Sequence, residues 1–267
     1  MIRQPVAAGR FYPGSKKVLE AQIESMSDTK AVKQDALGAV SPHAGYIYSG
    51  SVACELFSNI RITDSVIILG PNHTGTGEDF AIYGTGKWRT PIGNIDIDEK
   101  LSAVICKNTS LIRNDLSAHM DEHSIEAQLP IMQYFKRDFK IIPIILSGGS
   151  FQQYQQIAEA LADAIKELGR RVLIVASSDM THHEPQDNAK SKDKIAIDAV
   201  LKLDEKLLYE TVREYDISMC GYIPVLIMIS AVKKIGAKSA KLIKYSTSGD
   251  ITGDYSSVVG YAGISIQ

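Results

Sequence analysis

Short apolar runs, separated by turn residues and by stretches of helical spacing, set the pattern of this chain. Residues 37–40, 65–69, 141–146 and 171–176 are rich in Val, Ile and Leu. Runs this short, with this β-branched content, predict strands buried on both faces. Helical spacing is clearest in SFQQYQQIAEALADAIKELG, where Tyr154, Ile157, Ala158, Leu161, Ile165 and Leu168 recur at three- and four-residue steps and Gly169 supplies the stop. Further helices are predicted over 51–60, 124–135, 190–201, 205–214 and 221–235. The end, AKLIKYSTSGDITGDYSSVVGYAGISI, reads as two strands around a Gly/Asp-rich loop. This alternation predicts an α/β fold: one domain over residues 1–267, with a central, mainly parallel or mixed sheet flanked by helices on both faces.

Composition narrows the class. A chain of 267 residues with 45% hydrophobic content is long enough to bury a large core. Lys and Arg total 29 against 31 Asp and Glu, scattered rather than striped, so no footprint for nucleic acid appears. Three cysteines, Cys54, Cys106 and Cys220, lie far apart without a CxxC pair, which argues against a disulfide framework and for a reducing compartment. The chain start lacks a signal-type apolar region, and no apolar stretch reaches the roughly 18 residues of a membrane span. The expectation is a cytoplasmic protein with no membrane partner.

Candidate chemistry follows directly after the strand runs. In LGAVSPHAGY, His43 comes just after the strand. In SVIILGPNHTGTG it is His73, and in RVLIVASSDMTHHE it is Asp179, with His182 and His183 behind it. In an open parallel sheet the carboxyl ends of the strands share one rim, where ligand crevices form. His43, His73, Asp179 and His182 are therefore expected at a common edge. Cys220 precedes a strongly apolar helix, whose N-terminus is expected to lower the thiol pKa, and Gly221 is expected to admit a ligand close to the backbone. Two imidazoles with a thiolate suit iron, zinc or copper, and two imidazoles with Asp179 match the facial triad of non-heme iron enzymes. His182 is the candidate general acid and base beside the metal.

Other signals are weaker. HMDEH fits the H-x-x-E-H pattern of zinc peptidases through His119, Glu122 and His123. The apolar periodicity begins only at Ile125, so the helix is predicted to start near His123 and leave His119 outside it. His123 and Glu126 are instead expected to support the rim histidines by hydrogen bonds. GPNHTGTG lacks both the P-loop lysine and GxGxxG spacing, so it predicts no nucleotide site. Phe11, Tyr12, Tyr46 and Tyr48 can wall a pocket, and Cys54 and Cys106 fall in helical patterns as packing residues.

The ordered segments GRFYPGS, SPHAGYIYSG, ILGPNH, TPIG, DEHSIEAQLP, IIPIILSG, VASSDMTHH, CGYIPV and GYAGISI resemble the Memo family over essentially the whole chain. Its archaeal and bacterial members are also described as AmmeMemoRadiSam system protein B. The resemblance implies a fold similar to LigB-type extradiol dioxygenases and AMMECR-type and radical-SAM proteins as partners. It also implies a metal, iron first and copper or zinc as alternatives, at His43, His73 and Cys220, with Asp179 and His182 as catalytic groups. Cys220 stands where LigB-type enzymes carry a glutamate, so catechol cleavage does not transfer. In the vertebrate member the cleft is implicated in binding phosphotyrosine peptides, at aromatic positions corresponding to Phe11 and Tyr48, although Phe11 replaces a Trp there. Two functions follow as expectations: a metal-dependent redox protein, or a non-catalytic module that binds a small molecule or peptide in a vestigial dioxygenase-like cleft.

Overall fold

In the strands at the centre of the sheet, successive side chains are apolar on both faces, and the structure uses both. The computed structural model describes residues 1–267. Ile67 and Leu69 point into one core with Val40, Ile142, Ile144 and Ile174, whereas Val66 and Ile68 point into a second with Ala39, Ile141, Ile145 and Val175. Strand alternation thus divides the interior into two hydrophobic layers, one on each side of the sheet. Helices Phe151–Leu168, Gln186–Leu201, Glu205–Glu214 and Tyr222–Lys234 cover the first face. Helices Lys16–Met26, Tyr46–Asn59 and Leu129–Phe135 cover the other. Each fully buried Ile or Leu contributes roughly 1.5–3 kcal/mol by leaving water, so the two layers fix the sheet between them.

The sheet has 12 strands and mixed direction. Lys140–Leu146, Ser65–Pro71, Leu173–Ser177 and Gly38–Ser41 lie side by side in that order and are parallel. Val258–Ile266 then joins Gly38–Ser41 antiparallel, and Ala240–Thr247 pairs antiparallel with it, as the C-terminal pattern predicts. The opposite edge is built from pieces with weak apolar signals: Lys87–Thr90, Gly93–Ile97 and, at the margin, Ile2–Arg3. The register aligns Leu69 with Ala176 and Ser41 with Ser177, so three neighbouring strands end on one rim.

The segment expected to form a helix over 124–135 differs. It opens with a 3-10 turn, Glu126–Gln128, and becomes α-helical only at Leu129–Phe135, where Pro130 occupies the first turn. His123 consequently lies in a loop. No helix is long and apolar enough to cross a membrane.

Candidate metal centre

Proline ends two of the three rim strands. Pro42 has no N–H with which to continue the ladder after Ser41, so the chain turns off the sheet and presents His43. Pro71 closes its strand in the same way, and the loop beyond it is held by Asn72, whose Oδ1 accepts from the backbone N–H of Thr74 at 3.1 Å and Gly75 at 2.9 Å. That Asx-type turn accounts for the Gly-rich stretch and presents His73. Behind the third strand, Asp179 reaches across to the first loop, and its Oδ1 accepts from His43 N–H at 2.8 Å.

These loops bring His43 and His73 together, and the loop of residues 121–125 adds His123. Their ligating nitrogens lie within 4.8 Å of one another. The ring centroids of His43 and His73 are 5.1 Å apart, and those of His73 and His123 are 4.7 Å apart. Cys220 Sγ sits 3.3 Å from His43 Nε2, and Asp179 Oδ2 is 4.0 Å from the same nitrogen.

Hydrogen bonds behind the rings decide which nitrogen is free. Ser177 Oγ donates its single proton to the Ser124 carbonyl at 2.7 Å and accepts from Gln128 Nε2 at 2.9 Å. Its approach to His43 Nδ1, also 2.9 Å, is therefore one in which the imidazole donates. His73 Nδ1 donates to Glu122 Oε1 at 2.9 Å, and His182 Nδ1 donates to the Ser218 carbonyl at 2.9 Å. In all three, Nδ1–H is engaged; the Nε2 lone pair of His43 faces the Cys220 thiol, and those of His73 and His182 are left for a metal or a proton.

Electrostatics agrees with this assignment. Burial, then the charge on His73, pushes His43 down to about 3, and burial with the charge on His43 pushes His123 down to about 4. Both rings are neutral at ordinary pH, as ligation requires. Burial opposes protonation of His73, but the hydrogen bond and charge of Glu122 outweigh it and raise its pKa. Burial likewise works against the Glu122 anion, yet its bonds to His73 and Ser124 hold it at about 2.

Several expectations change here. Glu126 makes no hydrogen bond to the histidines: its carboxylate accepts from Arg3, Tyr12 and the backbone of Val6 and Ala7. The carboxylate that meets His73, and lies 3.4 Å from His123 Nδ1, is Glu122. His123 enters the cluster as a third imidazole rather than as support for the other two. His119 is remote from it, fully buried with its ring edge-on to Tyr83 and Trp88, so HMDEH does not pair two histidines. The Cys220 thiol is shifted up, not down, by burial and by the Asp179 carboxylate. Gly221 admits the protein itself, since a Cβ there would lie 2.3 Å from the Ser177 carbonyl oxygen. Phe11 packs on His123 with centroids 4.3 Å apart, and both Phe11 and Tyr48 line a concavity of about 300 Å³. In the sequence, His123 and Glu122 are signalled by the HMDEH segment, of which the second half belongs to the site.

The chain is similar to known proteins along its length. A family model described as Memo-like protein matches residues 3–265. A MEMO1 family protein of Methanopyrus kandleri is 40% identical, covering 99% of this chain and 98% of that protein. One from Methanosarcina mazei is 42% identical, covering 100% and 99%. In fold, an uncharacterized protein of Escherichia coli K12 superposes with a TM-score of 0.54 at 12% identity, over 85% of this chain and 98% of that one, which is a likeness of architecture alone. With this match across nearly every residue, the chain belongs to the Memo family.

Proposed function

We propose that the protein is a metal-dependent redox protein that holds a divalent transition metal at His43, His73 and His123, with Cys220 beside them. Iron is the first choice, with copper or zinc as alternatives. The observation that carries this reading is the meeting of three imidazole nitrogens within 4.8 Å, two of them on rings whose Nδ1 atoms are tied to Ser177 and Glu122. Imidazole donors suit all three metals, and a neighbouring thiol favours the softer ones. Bound there, iron or copper would supply one-electron chemistry and any of the three a Lewis acid.

The chain's own groups divide the remaining work. Asp179 fixes the His43 loop through two backbone N–H groups and keeps a carboxyl oxygen beside His43. His182, three residues beyond Asp179, gives its Nδ1–H to the Ser218 carbonyl and keeps Nε2 as the atom to take and give a proton. Phe11 and Tyr48 offer an apolar wall to an incoming ligand. A cytoplasmic location accords with three unpaired cysteines.

Metal analysis of protein purified without oxygen tests this. About one equivalent of iron or copper is expected, absent from the His43→Ala, His73→Ala double variant, and unchanged metal content in that variant would reject the proposal. The concavity bordered by Phe11 and Tyr48 favours a second reading, a binding module for a small molecule or peptide, with AMMECR-type or radical-SAM proteins as candidate partners. Turnover of a small substrate that disappears with His182→Ala would exclude it.

A further inference from the structure

Arg3 is a guanidinium with no exposed surface, a burial that arginine tolerates only when paired. Its Nε donates to the His119 carbonyl at 2.7 Å, its Nη2 to the Glu122 carbonyl at 2.6 Å, and its Nη1 to Glu126 Oε2 at 2.5 Å, while its face lies 4.1 Å from the Trp88 ring. Glu126 is equally buried and turns its oxygens toward the N-terminal segment. Oε2 accepts from Val6 N–H at 2.9 Å, and Oε1 accepts from Ala7 N–H at 2.9 Å and from the Tyr12 hydroxyl at 2.5 Å. The two side chains therefore stitch residues 3–12 to residues 119–126. The first segment includes Phe11, and the second carries Glu122 and His123, whose ring is the one packed on Phe11.

We propose that Arg3 and Glu126 are positioning residues for the metal centre, an inference that rests on the metal-binding function proposed for His43, His73 and His123. By holding the N-terminal segment and the His119–Glu126 loop together, they set where His123 stands relative to His43 and His73. Neither touches the metal. A planar fork is needed because three acceptors spread along residues 119–126 are met by three separate nitrogens, Nε and both Nη atoms, whereas the donors of a lysine all sit on one nitrogen. Burial keeps the pair from exchanging its partners for water, so the geometry it sets is rigid.

The test uses the full-length, metal-free protein with Co(II) as probe. Arg3→Lys is expected to weaken Co(II) binding by about 10- to 100-fold and to change the visible Co(II) spectrum, the size of effect typical of residues that orient ligands. Tyr12→Phe, a milder change that spares the ion pair, is expected to move both readouts in the same direction but less. It also keeps the proposal falsifiable if Arg3→Lys does not fold. In parallel, a nuclear Overhauser effect between the Phe11 and His123 rings, measured without metal, is expected in the wild type and not in Arg3→Lys. Unchanged Co(II) affinity and a persisting Overhauser effect in the folded variants would overturn the positioning role while leaving the metal site intact. A wild type that binds no Co(II), with the two rings separated in Arg3→Lys, would overturn the metal site while upholding the placement of His123.

Discussion

Single side chains in this protein act mostly by fixing the one beside them. The hydroxyl of Ser177 shows it: one proton and two lone pairs are all committed, and the commitment orients His43. Ser177→Ala is expected to leave the fold intact and to cost about 10- to 100-fold in metal affinity, measured by competition with a chromophoric chelator. Gly221 is fixed for steric reasons, since any Cβ would strike the Ser177 carbonyl. Gly221→Ala should destabilise by about 1–3 kcal/mol, read as a lowered urea midpoint, because backbone rather than a flexible side chain must move. His43, His73 and Asp179 were legible as site residues because each follows an apolar strand run, a position that needs no tertiary information. His123 was legible as a supporting residue of the cleft but not as a third imidazole of the cluster, because its exact place depends on a loop whose neighbours are residues 3–12, and no periodicity records a pairing of that span. Cys220 was legible as a candidate, but its protonation follows burial and the nearby Asp179 carboxylate, which the helix-terminus argument omits.

At the scale of elements, agreement tracks local signal strength. The helix Phe151–Leu168 ends at Gly169 in the left-handed conformation and starts with a capping box between Ser150 and Gln153. All of this is written in consecutive residues. Ser150→Ala should cost about 1 kcal/mol in thermal unfolding and leave metal content unchanged, since this helix end carries none of the site residues. The parallel strands were legible within two residues at each end. The 3-10 turn before Leu129 was not, because apolar spacing cannot distinguish a tight turn from the first turn of an α-helix. The strands between residues 80 and 97 were also missed: they are three to five residues long and lean on their neighbours for stability.

For the molecule as a whole, acid should act first through histidine. His119 is fully buried against Tyr83 and Trp88, and burial, then the charge of Arg3, holds it down at about 3. It is neutral when folded and free to protonate when unfolded. Its contribution to stability is therefore whole above the unfolded pKa near 6.5 and declines as pH falls toward 3. Between pH 6.5 and 5 the decline from this residue is on the order of 2 kcal/mol. Urea midpoints of the metal-free protein should fall over that interval, and His119→Phe should flatten the fall; an unchanged slope would contradict the assignment.

The rim on which the imidazoles meet is made by pairing Gly38–Ser41 with Leu173–Ser177, partners drawn from opposite parts of the chain. Such a pairing closes a long loop, so much conformational entropy is surrendered before its contacts reward the closure. An ion captured here would thus act as a seal on the finished molecule rather than a seed for it, and no excised peptide should retain the affinity of the whole.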